Sequence, residues 1–339
     1  MTAPPEDMTG TPDPATTAGV DALSDVLRVA HLTGGVFLHA DFFAPWCIAA
    51  RVAPEHCMPA LGPASHLILY HYVVEGDFRI RVEGEDGDDL IIGAGEVVLL
   101  PRNDLHLMGS DLSLPPVAGS DIIQLPKGGG LFSINHGGAG ARTRMICGFL
   151  GCASAEGNPV ISTLPPLLKL SVEHGGPAEW IRSTFQYAAE EVSAGRPGSE
   201  TVLAKLSELL FVEAVRRYAE ALPDGQTGWL AGLREPYVAR ALALLHRDIT
   251  RHWTVDDLGR EVGLSRSALA DRFIRLIGMP PMHYLANWRM QVATQKLRST
   301  SASLAQIAEI VGYDSEAAFS RAFKKAFGAA PATWRRSIS

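Results

Sequence analysis

The polar side chains with the clearest spacing lie in roughly the last hundred residues, after two turns of the same form. In each turn a glycine, Gly263 or Gly312, precedes a polar residue and then a helix-like pattern of apolar residues. Such a turn packs one helix across another and exposes the outer face of the second helix, which can hydrogen-bond to base edges of duplex DNA. The candidate DNA-contacting residues are Ser265, Arg266, Ser267, Ala270 and Arg272 after the first turn, and Ser315, Glu316, Ser320, Arg321 and Lys324 after the second.

The helices that would position these side chains also occur twice. Thr254 and Ser303 are predicted to begin the helix before each turn, and Ser265 and Asp314 to cap the helix after it. The two turn glycines are 49 residues apart, whereas the glycines that end the units, Gly278 and Gly328, are 50 apart. The second unit is therefore expected to carry one extra residue in its turn, within residues 313–315. A helix over residues 281–298 is predicted to join the units.

These motifs carry a resemblance. Residues 236–336 resemble the DNA-binding domain of the AraC/XylS family of transcription regulators, most clearly over 307–314, 319–325 and 328–334. The sequence departs from the family pattern at Ala317 and Ala318, where larger residues are usual. The resemblance implies an all-α domain with two helix-turn-helix units that binds double-stranded DNA. It also implies contact with RNA polymerase if the protein is an activator.

The charge distribution divides the chain in the same place. The whole sequence has a formal net charge of −7, but from Arg234 onward it carries 16 Lys and Arg against 9 Asp and Glu. The preceding 233 residues carry 14 against 28. A basic domain is therefore joined to an acidic one, and the basic domain can neutralise phosphates.

The composition of the chain predicts its cellular compartment. Residues 1–18 are rich in Thr, Pro, Ala and Gly and are expected to form a disordered tail rather than a signal peptide. No apolar run approaches the ~20 residues that a membrane helix needs. The 4 cysteines show no disulfide spacing. Reduced thiols and a cytoplasmic location, with no membrane partner, are expected.

The region before about residue 165 is predicted to be β structure, with short strands over 34–43, 67–74, 78–82, 90–92, 96–100 and 143–150. Many short strands with polar turns favour a jelly roll or barrel. The span that contains Gly95, Pro101, Asn103 and His106 resembles the second cupin motif, with Asn103 where glycine is usual. The resemblance implies a ligand-binding cupin domain.

The histidines and cysteines of this region suggest two kinds of site. The cupin resemblance places Leu69 where a metal-binding Glu belongs, so the ordinary ligand set is incomplete. His71 and His106 are expected to point inward and to contact a small-molecule effector. A soft site for zinc or another thiophilic ion is the other interpretation, and simple packing of buried side chains is a third. The candidate metal ligands are Cys47, His71, His106, Cys147 and Cys152.

Two helices are predicted between the domains, over 177–192 and 199–222. The second has an apolar stripe that includes Leu203, Leu206, Leu209, Leu210 and Val215. By resemblance this helical pair forms a homodimer. The alternative is that the stripe covers the barrel.

The sequence thus predicts an α+β protein: a disordered tail (1–18), a cupin-like sensor domain (19–170), a helical dimerisation and linker region (171–228) and a DNA-binding domain (229–339). The predicted function is a one-component transcription regulator controlled by a small molecule. We find no nucleophile elbow or phosphate-binding loop that would indicate an enzyme. Two alternatives stay open: a cupin metalloenzyme tethered to DNA, and a regulator whose barrel serves only for assembly.

Overall fold

A computed structural model describes residues 21–30, 32–33, 37–52, 66–85, 87–124, 132–152, 158–171 and 198–338, together with residues 183–184 and 187. The predicted tail lies outside these residues, as does most of the helix predicted over 177–192. Residues 183–184 and 187 are helical.

The described N-terminal residues form strands with three short helices. The helices are α1 (Ala22–Ala30), α2 (Gly119–Ile122) and α3 (Pro159–Thr163). The strands are β1 (Phe37–Phe43), β2 (Cys47–Ala50), β3 (His66–Glu75), β4 (Asp77–Val82), β5 (Leu90–Gly93), β6 (Glu96–Leu100), β7 (His106–Gly109), β8 (Val117–Ala118), β9 (Ile123–Gln124), β10 (Phe132–Gly137), β11 (Arg142–Cys152) and β12 (Leu168–Ser171).

The strands form two sheets whose inner faces share one apolar core. A seven-stranded sheet has the order β12-β6-β3-β11-β1-β10-β9, and a five-stranded sheet has the order β5-β4-β7-β2-β8. Leu69 and Val73 of the large sheet lie in the same buried cluster as Ile80 and Met108 of the small one. This is the two-sheet arrangement of a jelly roll.

At β3 the large sheet is buried on both faces, which explains why every residue from Leu67 to Val73 except His71 is apolar or aromatic. Its inward residues alternate with Ile68, Tyr70 and Tyr72, which belong to a second buried cluster on the outer face. Helix α4 (Ser199–Ala221) covers that face, and the Tyr70 hydroxyl lies 3.0 Å from the Ser207 hydroxyl. The buried part of the predicted apolar stripe, including Leu203, Leu210 and Val215, packs in this cluster.

The described residues after α4 are helical. The helices are α5 (Trp229–Gly232), α6 (Pro236–Arg247), α7 (Val255–Val262), α8 (Arg266–Ile277), α9 (Pro281–Ser299), α10 (Leu304–Ile310), α11 (Glu316–Phe327) and α12 (Pro331–Ile338). Helix α9 joins the two helix-turn-helix units, as predicted. No helix within the described part of the chain is long and apolar enough to cross a membrane.

The two helix-turn-helix units differ in what they pack against. The second has its own core, built from residues such as Ile307, Phe319 and Phe323. The first shares the outer cluster of the large sheet, where Leu269 and Phe273 join Val26 of α1. Helix α1 packs against both α6 and α9. The N-terminal unit, formed by the described residues from 21 to 171, therefore packs on the first helix-turn-helix unit and on α9.

Candidate nucleic-acid interface and ligand pocket

The first helix-turn-helix unit is built as the sequence predicts. Thr254 caps α7 in a capping box, in which its hydroxyl accepts from the Asp257 backbone N–H at 3.0 Å. Gly263 ends the helix with φ +82°. Ser265 then caps α8 by accepting from the Ala268 N–H at 3.2 Å.

The second unit confirms the extra residue and corrects one cap. Ser303 and Gln306 form a capping box on α10. Helix α11 is capped by Ser315, which accepts from the Ala318 N–H at 3.2 Å, and not by Asp314 as the sequence pattern suggested. The turn is thus one residue longer than the first. Gly312 has φ +74°, and a Cβ there would lie 2.7 Å from the Thr250 Cα, so this turn requires glycine.

The structure places most of the predicted DNA contacts on the outer faces of α8 and α11. Ala270, Arg272 and Ser320 are half-buried. The exposed members are Ser265, Arg266, Ser267, Ser315, Glu316, Arg321 and Lys324.

The two arginines of α8 have different partners. Arg266 lies 3.5 Å from Asp256, and both side chains are mostly exposed, so this ion pair is weak and the guanidinium can reorient. Arg272 donates to the Glu235 carboxylate at 2.7 Å and stacks over the Tyr237 ring, 5.0 Å from its centroid. Glu235 also caps α6 by accepting from the Val238 N–H at 2.7 Å. Arg272 therefore ties α8 to α6.

Further exposed residues, which the sequence pattern did not identify, become apparent when α8 and α11 are aligned at their N-cap residues. If Ser265 is placed on Ser315, Asp271 corresponds to Arg321, Ile274 to Lys324 and Arg275 to Lys325. Asp271, Arg275 and Lys325 are exposed, and Ile274 is 44% exposed. The second recognition helix thus presents a cationic face, whereas the first presents a mixed acidic, basic and apolar one. The sequence signal that could have identified these residues is their equal spacing from Ser265 and from Ser315.

The N-terminal unit contains a cavity of about 400 Å³. This volume lies within the range of ordinary small-molecule sites. Its walls come from both sheets and from α2, and most of the side chains are apolar. They include Leu38, Phe42, Ile48, Leu69, Ile134 and Phe149.

His71 and His106 both line this cavity, as the sequence predicts for an inward orientation. His71 lies on β3, directly opposite Cys147 of β11 in the strand register, and His106 begins β7 in the other sheet. The two imidazole centroids are 5.5 Å apart. The Nδ1 and Nε2 atoms of His71 and the Nε2 atom of His106 have no hydrogen-bond partner among the described residues.

The burial of these groups sets their protonation. Burial, with a smaller contribution from the neighbouring His106, lowers the pKa of His71 to about 3. Burial also lowers the pKa of His106, although the hydrogen bond to the Asp104 carbonyl opposes this shift. Burial raises the pKa of the Cys147 thiol. Both imidazoles and the thiol are therefore neutral near pH 7.

The loop before His106 explains its position. Asn103 has φ +55°, a left-handed conformation that favours glycine, which is the usual residue at this point of the cupin motif. The Asn103 side chain accepts from the Val52 N–H at 3.2 Å and donates to the Val52 carbonyl at 2.7 Å. These two bonds fix the turn that leads into His106.

The predicted soft metal set is only partly assembled. His71, His106 and Cys147 share the cavity. Cys152 lies in the outer cluster and donates to the Ala30 carbonyl, and Cys47 precedes the cavity-lining Ile48 on its strand. Among the described residues, no group of three or more His, Cys, Asp or Glu side chains is placed to hold a metal ion. Leu69 occupies the wall beside His71, so the ordinary cupin ligand set does not fit here.

Comparison with known proteins agrees with both halves of the structure. A cupin family model matches residues 21–220, and a helix-turn-helix domain model matches residues 258–337. An AraC-like transcription regulator of Streptomyces lividans is 33% identical over 276 residues, which cover 80% of this chain and 88% of that protein. The HTH-type transcriptional regulator AlkR of Acinetobacter baylyi is 28% identical over 320 residues, which cover 94% of this chain and 99% of that protein.

A solved structure also matches the C-terminal part. The C-terminal domain of AraT, a response regulator from Geobacillus stearothermophilus, is 33% identical and covers 30% of this chain and 86% of its own, with a TM-score of 0.30. The family models and the Streptomyces relative confirm the resemblance found in the sequence. The chain belongs to the AraC family of DNA-binding transcription regulators, with a cupin domain followed by a helix-turn-helix domain.

Proposed function

We propose that a small molecule bound in the N-terminal cavity controls how the two helix-turn-helix units bind DNA. The observation that carries this proposal is the course of strand β11. Its residues Cys147 and Gly148 line the cavity. A few residues later Gly151 exchanges two backbone hydrogen bonds with Thr33, each 2.9 Å, and the Cys152 thiol donates to the Ala30 carbonyl at 3.3 Å.

Helix α1 extends the connection from β11 to the DNA-binding part. It packs against α6 and α9, and the Gln295 amide of α9 lies 3.5 Å from the Arg28 carbonyl of α1. A ligand that displaces β11 would therefore shift α1 against the first helix-turn-helix unit. The second unit, which has a separate core, would keep its internal packing and change only its position relative to the first.

The test begins with DNA. Genomic fragments retained by the full chain are sequenced to find the operator, and the affinity for that operator is then measured with and without a panel of small molecules. The same molecules are screened for a rise in melting temperature, because ligand binding stabilises the folded state. A molecule that raises the melting temperature and changes operator affinity supports the proposal. A complete panel that shifts neither quantity would favour a barrel that serves only for assembly.

The exposed faces of α8 and α11 are the proposed DNA contacts. Arg266, Arg321 and Lys324 are exposed on these faces, and we propose that they contact base edges or phosphates. Ser265 and Ser315 lie at the helix N-termini, where the free backbone N–H groups favour a phosphate. Arg272 is proposed mainly as a residue that positions α8, since Glu235 and Tyr237 hold its side chain.

We further propose that the regulator is a cytoplasmic homodimer that contacts RNA polymerase where it activates. Leu209 of α4 is 47% exposed although the stripe beside it is buried on the sheet, which leaves an apolar position for a second chain. Light scattering on the wild type and on Leu209→Asp tests the dimer. A wild-type mass equal to one chain at micromolar concentration would contradict it.

The relatives named as transcription regulators support a regulator rather than a DNA-tethered metalloenzyme. Metal analysis of the purified protein separates the two. If the wild type contains stoichiometric zinc and both His71→Ala and Cys147→Ala lose it, the metal-site interpretation is favoured instead.

A further inference from the structure

The cavity holds buried polar atoms that its own walls do not satisfy. His71 is 6% exposed and His106 is 0% exposed, and three of their four ring nitrogens have no hydrogen-bond partner among the described residues. Leaving a buried donor or acceptor unpaired destabilises the folded protein. Whatever occupies the cavity is therefore expected to bond to these nitrogens.

The hydrogen-bond direction at His106 follows from its neighbour. Its Nδ1 lies 3.0 Å from the Asp104 carbonyl oxygen. A carbonyl oxygen only accepts, so the ring proton is on Nδ1. In the neutral ring Nε2 then carries a lone pair that no described residue satisfies, and the ring lines the cavity. A ligand must donate a hydrogen bond to satisfy it.

His71 supplies the complementary group. Neither of its nitrogens is bonded to a described residue, and a neutral imidazole has one N–H donor and one acceptor. The two ring centroids are 5.5 Å apart. Two hydrogen bonds of about 2.8 Å to one oxygen atom can span such a separation. That oxygen must accept from one ring and donate to the other, which a hydroxyl does and an ether or ketone oxygen does not.

The other residues of the cavity wall disfavour a charged ligand. Among the described residues that line the cavity, the one permanently charged side chain is Arg51, which is exposed, and most of the others are apolar. A carboxylate placed between the histidines would face the His106 lone pair without a proton to donate. Its binding would require one imidazole to take up a proton inside an apolar cavity.

We propose that the pocket recognises neutral, mainly apolar alcohols or phenols, whose hydroxyl donates to the Nε2 of His106 and accepts from His71. This inference rests on the proposed function of the cavity as the effector site.

The test compares three probes with the same number of carbons. Calorimetry on the full chain measures the affinity of 1-octanol, its isomer 1-methoxyheptane and octanoate near pH 7. The ether has the oxygen but no proton to donate, and the carboxylate is charged. We expect the alcohol to bind about tenfold or more tightly than either, since an unpaired buried polar group carries a cost of that order.

Substitution of the two histidines tests whether they cause the preference for the alcohol over the ether. His106→Leu and His71→Leu should reduce the preference for the alcohol over the ether to about twofold or less, while the ether still binds. His66→Gln is the matched control, because His66 begins the same strand as His71 but bonds to the Pro101 carbonyl outside the cavity lining. It should retain the wild-type preference. If a cavity variant fails to fold, the ratio measured on the wild type still decides the question.

Failure of the hydroxyl assignment and failure of the cavity as an effector site give different results in this experiment. Equal affinities for alcohol and ether, or tightest binding of octanoate, would overturn the hydroxyl assignment and leave the cavity as a binding site. Preference for the alcohol that persists in both histidine variants would also overturn it. Binding of none of the three probes would count against the cavity as an effector site and against this inference with it.

Discussion

The carboxylate of Asp25 lies 3.6 Å from Nδ1 of His246, across the junction between the N-terminal unit and the DNA-binding part. Asp25 belongs to α1 and His246 to α6. The Nε2 of His246 lies 2.8 Å from the Tyr284 hydroxyl, which accepts from the Trp229 indole N–H at 2.8 Å. Because Tyr284 accepts from the indole, its own proton is free for Nε2. The Nδ1–H of His246 then faces Asp25.

This junction should weaken in acid. Burial lowers the pKa of His246, although Asp25 opposes the shift, so the folded state binds this proton less readily than the unfolded state. The proximity of His246 lowers the pKa of Asp25. For both groups the unfolded state takes up protons first as pH falls, so stability decreases in acid. The His246 contribution falls below about pH 6.5, and the Asp25 contribution below about pH 4.

Melting temperatures measured from pH 7.5 to 5.5 check this expectation. Wild type should lose stability across this window, and His246→Gln should show a flatter profile. His252→Gln, whose side chain is 74% exposed, is the control and should follow wild type. Parallel profiles for wild type and His246→Gln would remove the junction as the source of the pH dependence.

Substitution of the exposed arginines should separate base reading from phosphate contact. Arg321→Ala and Arg266→Ala are each expected to weaken binding to the operator by about 1–3 kcal/mol if the side chain contacts a base edge, with a smaller loss on random DNA. Arg216→Ala, an exposed arginine on α4, is the matched control and should change neither affinity. Equal losses on operator and random DNA would assign the residue to phosphate alone.

The start of the DNA-binding domain can be tested by truncation. Trp229 and Leu230 are 2% and 1% exposed and lie in the buried cluster that the first helix-turn-helix unit shares with the large sheet, where α5 packs against α8. A fragment from residue 229 should fold and bind DNA, whereas one from residue 234 loses a buried tryptophan, which costs about 3–5 kcal/mol. Thermal unfolding and DNA affinity at low salt measure both fragments. Equal melting temperatures would show that the domain begins later than residue 229.

Some features of this molecule were readable from local pattern and others depend on distant partners. Strand β3 was predicted because β-branched and aromatic residues follow one another in a sheet buried on both faces. Strand β2 was missed because Cys47–Ala50 is short and alanine-rich, and β7, β10 and β12 were missed as well. The helix-turn-helix units were predicted almost entirely, since glycine turns and serine caps are local signals.

The candidate sites divide in the same way. Strand alternation placed His71 inward, and it also separates Cys147 from Cys152, which lie an odd number of residues apart and so face opposite sides of β11. Arg272 pairs with Glu235, which lies 37 positions away, and helical periodicity does not predict such a long-range ion pair. The docking of α1 on α6 is likewise a tertiary contact, and the sequence pattern gave no sign of it.

His71 is expected to be required for the response to the effector. His71 lies in the cavity wall and not in the DNA-binding helices, so His71→Ala should abolish the effector-dependent change in operator affinity. Operator affinity without effector should stay within about threefold of wild type, because neither recognition helix contributes a residue to the cavity lining. Fluorescence anisotropy with labelled operator DNA measures both quantities. His66→Gln, on the same strand but outside the cavity lining, is the control for disturbance of the sheet. If His71→Ala precipitates or melts well below wild type while His66→Gln does not, His71 is a packing residue of the core rather than an effector contact.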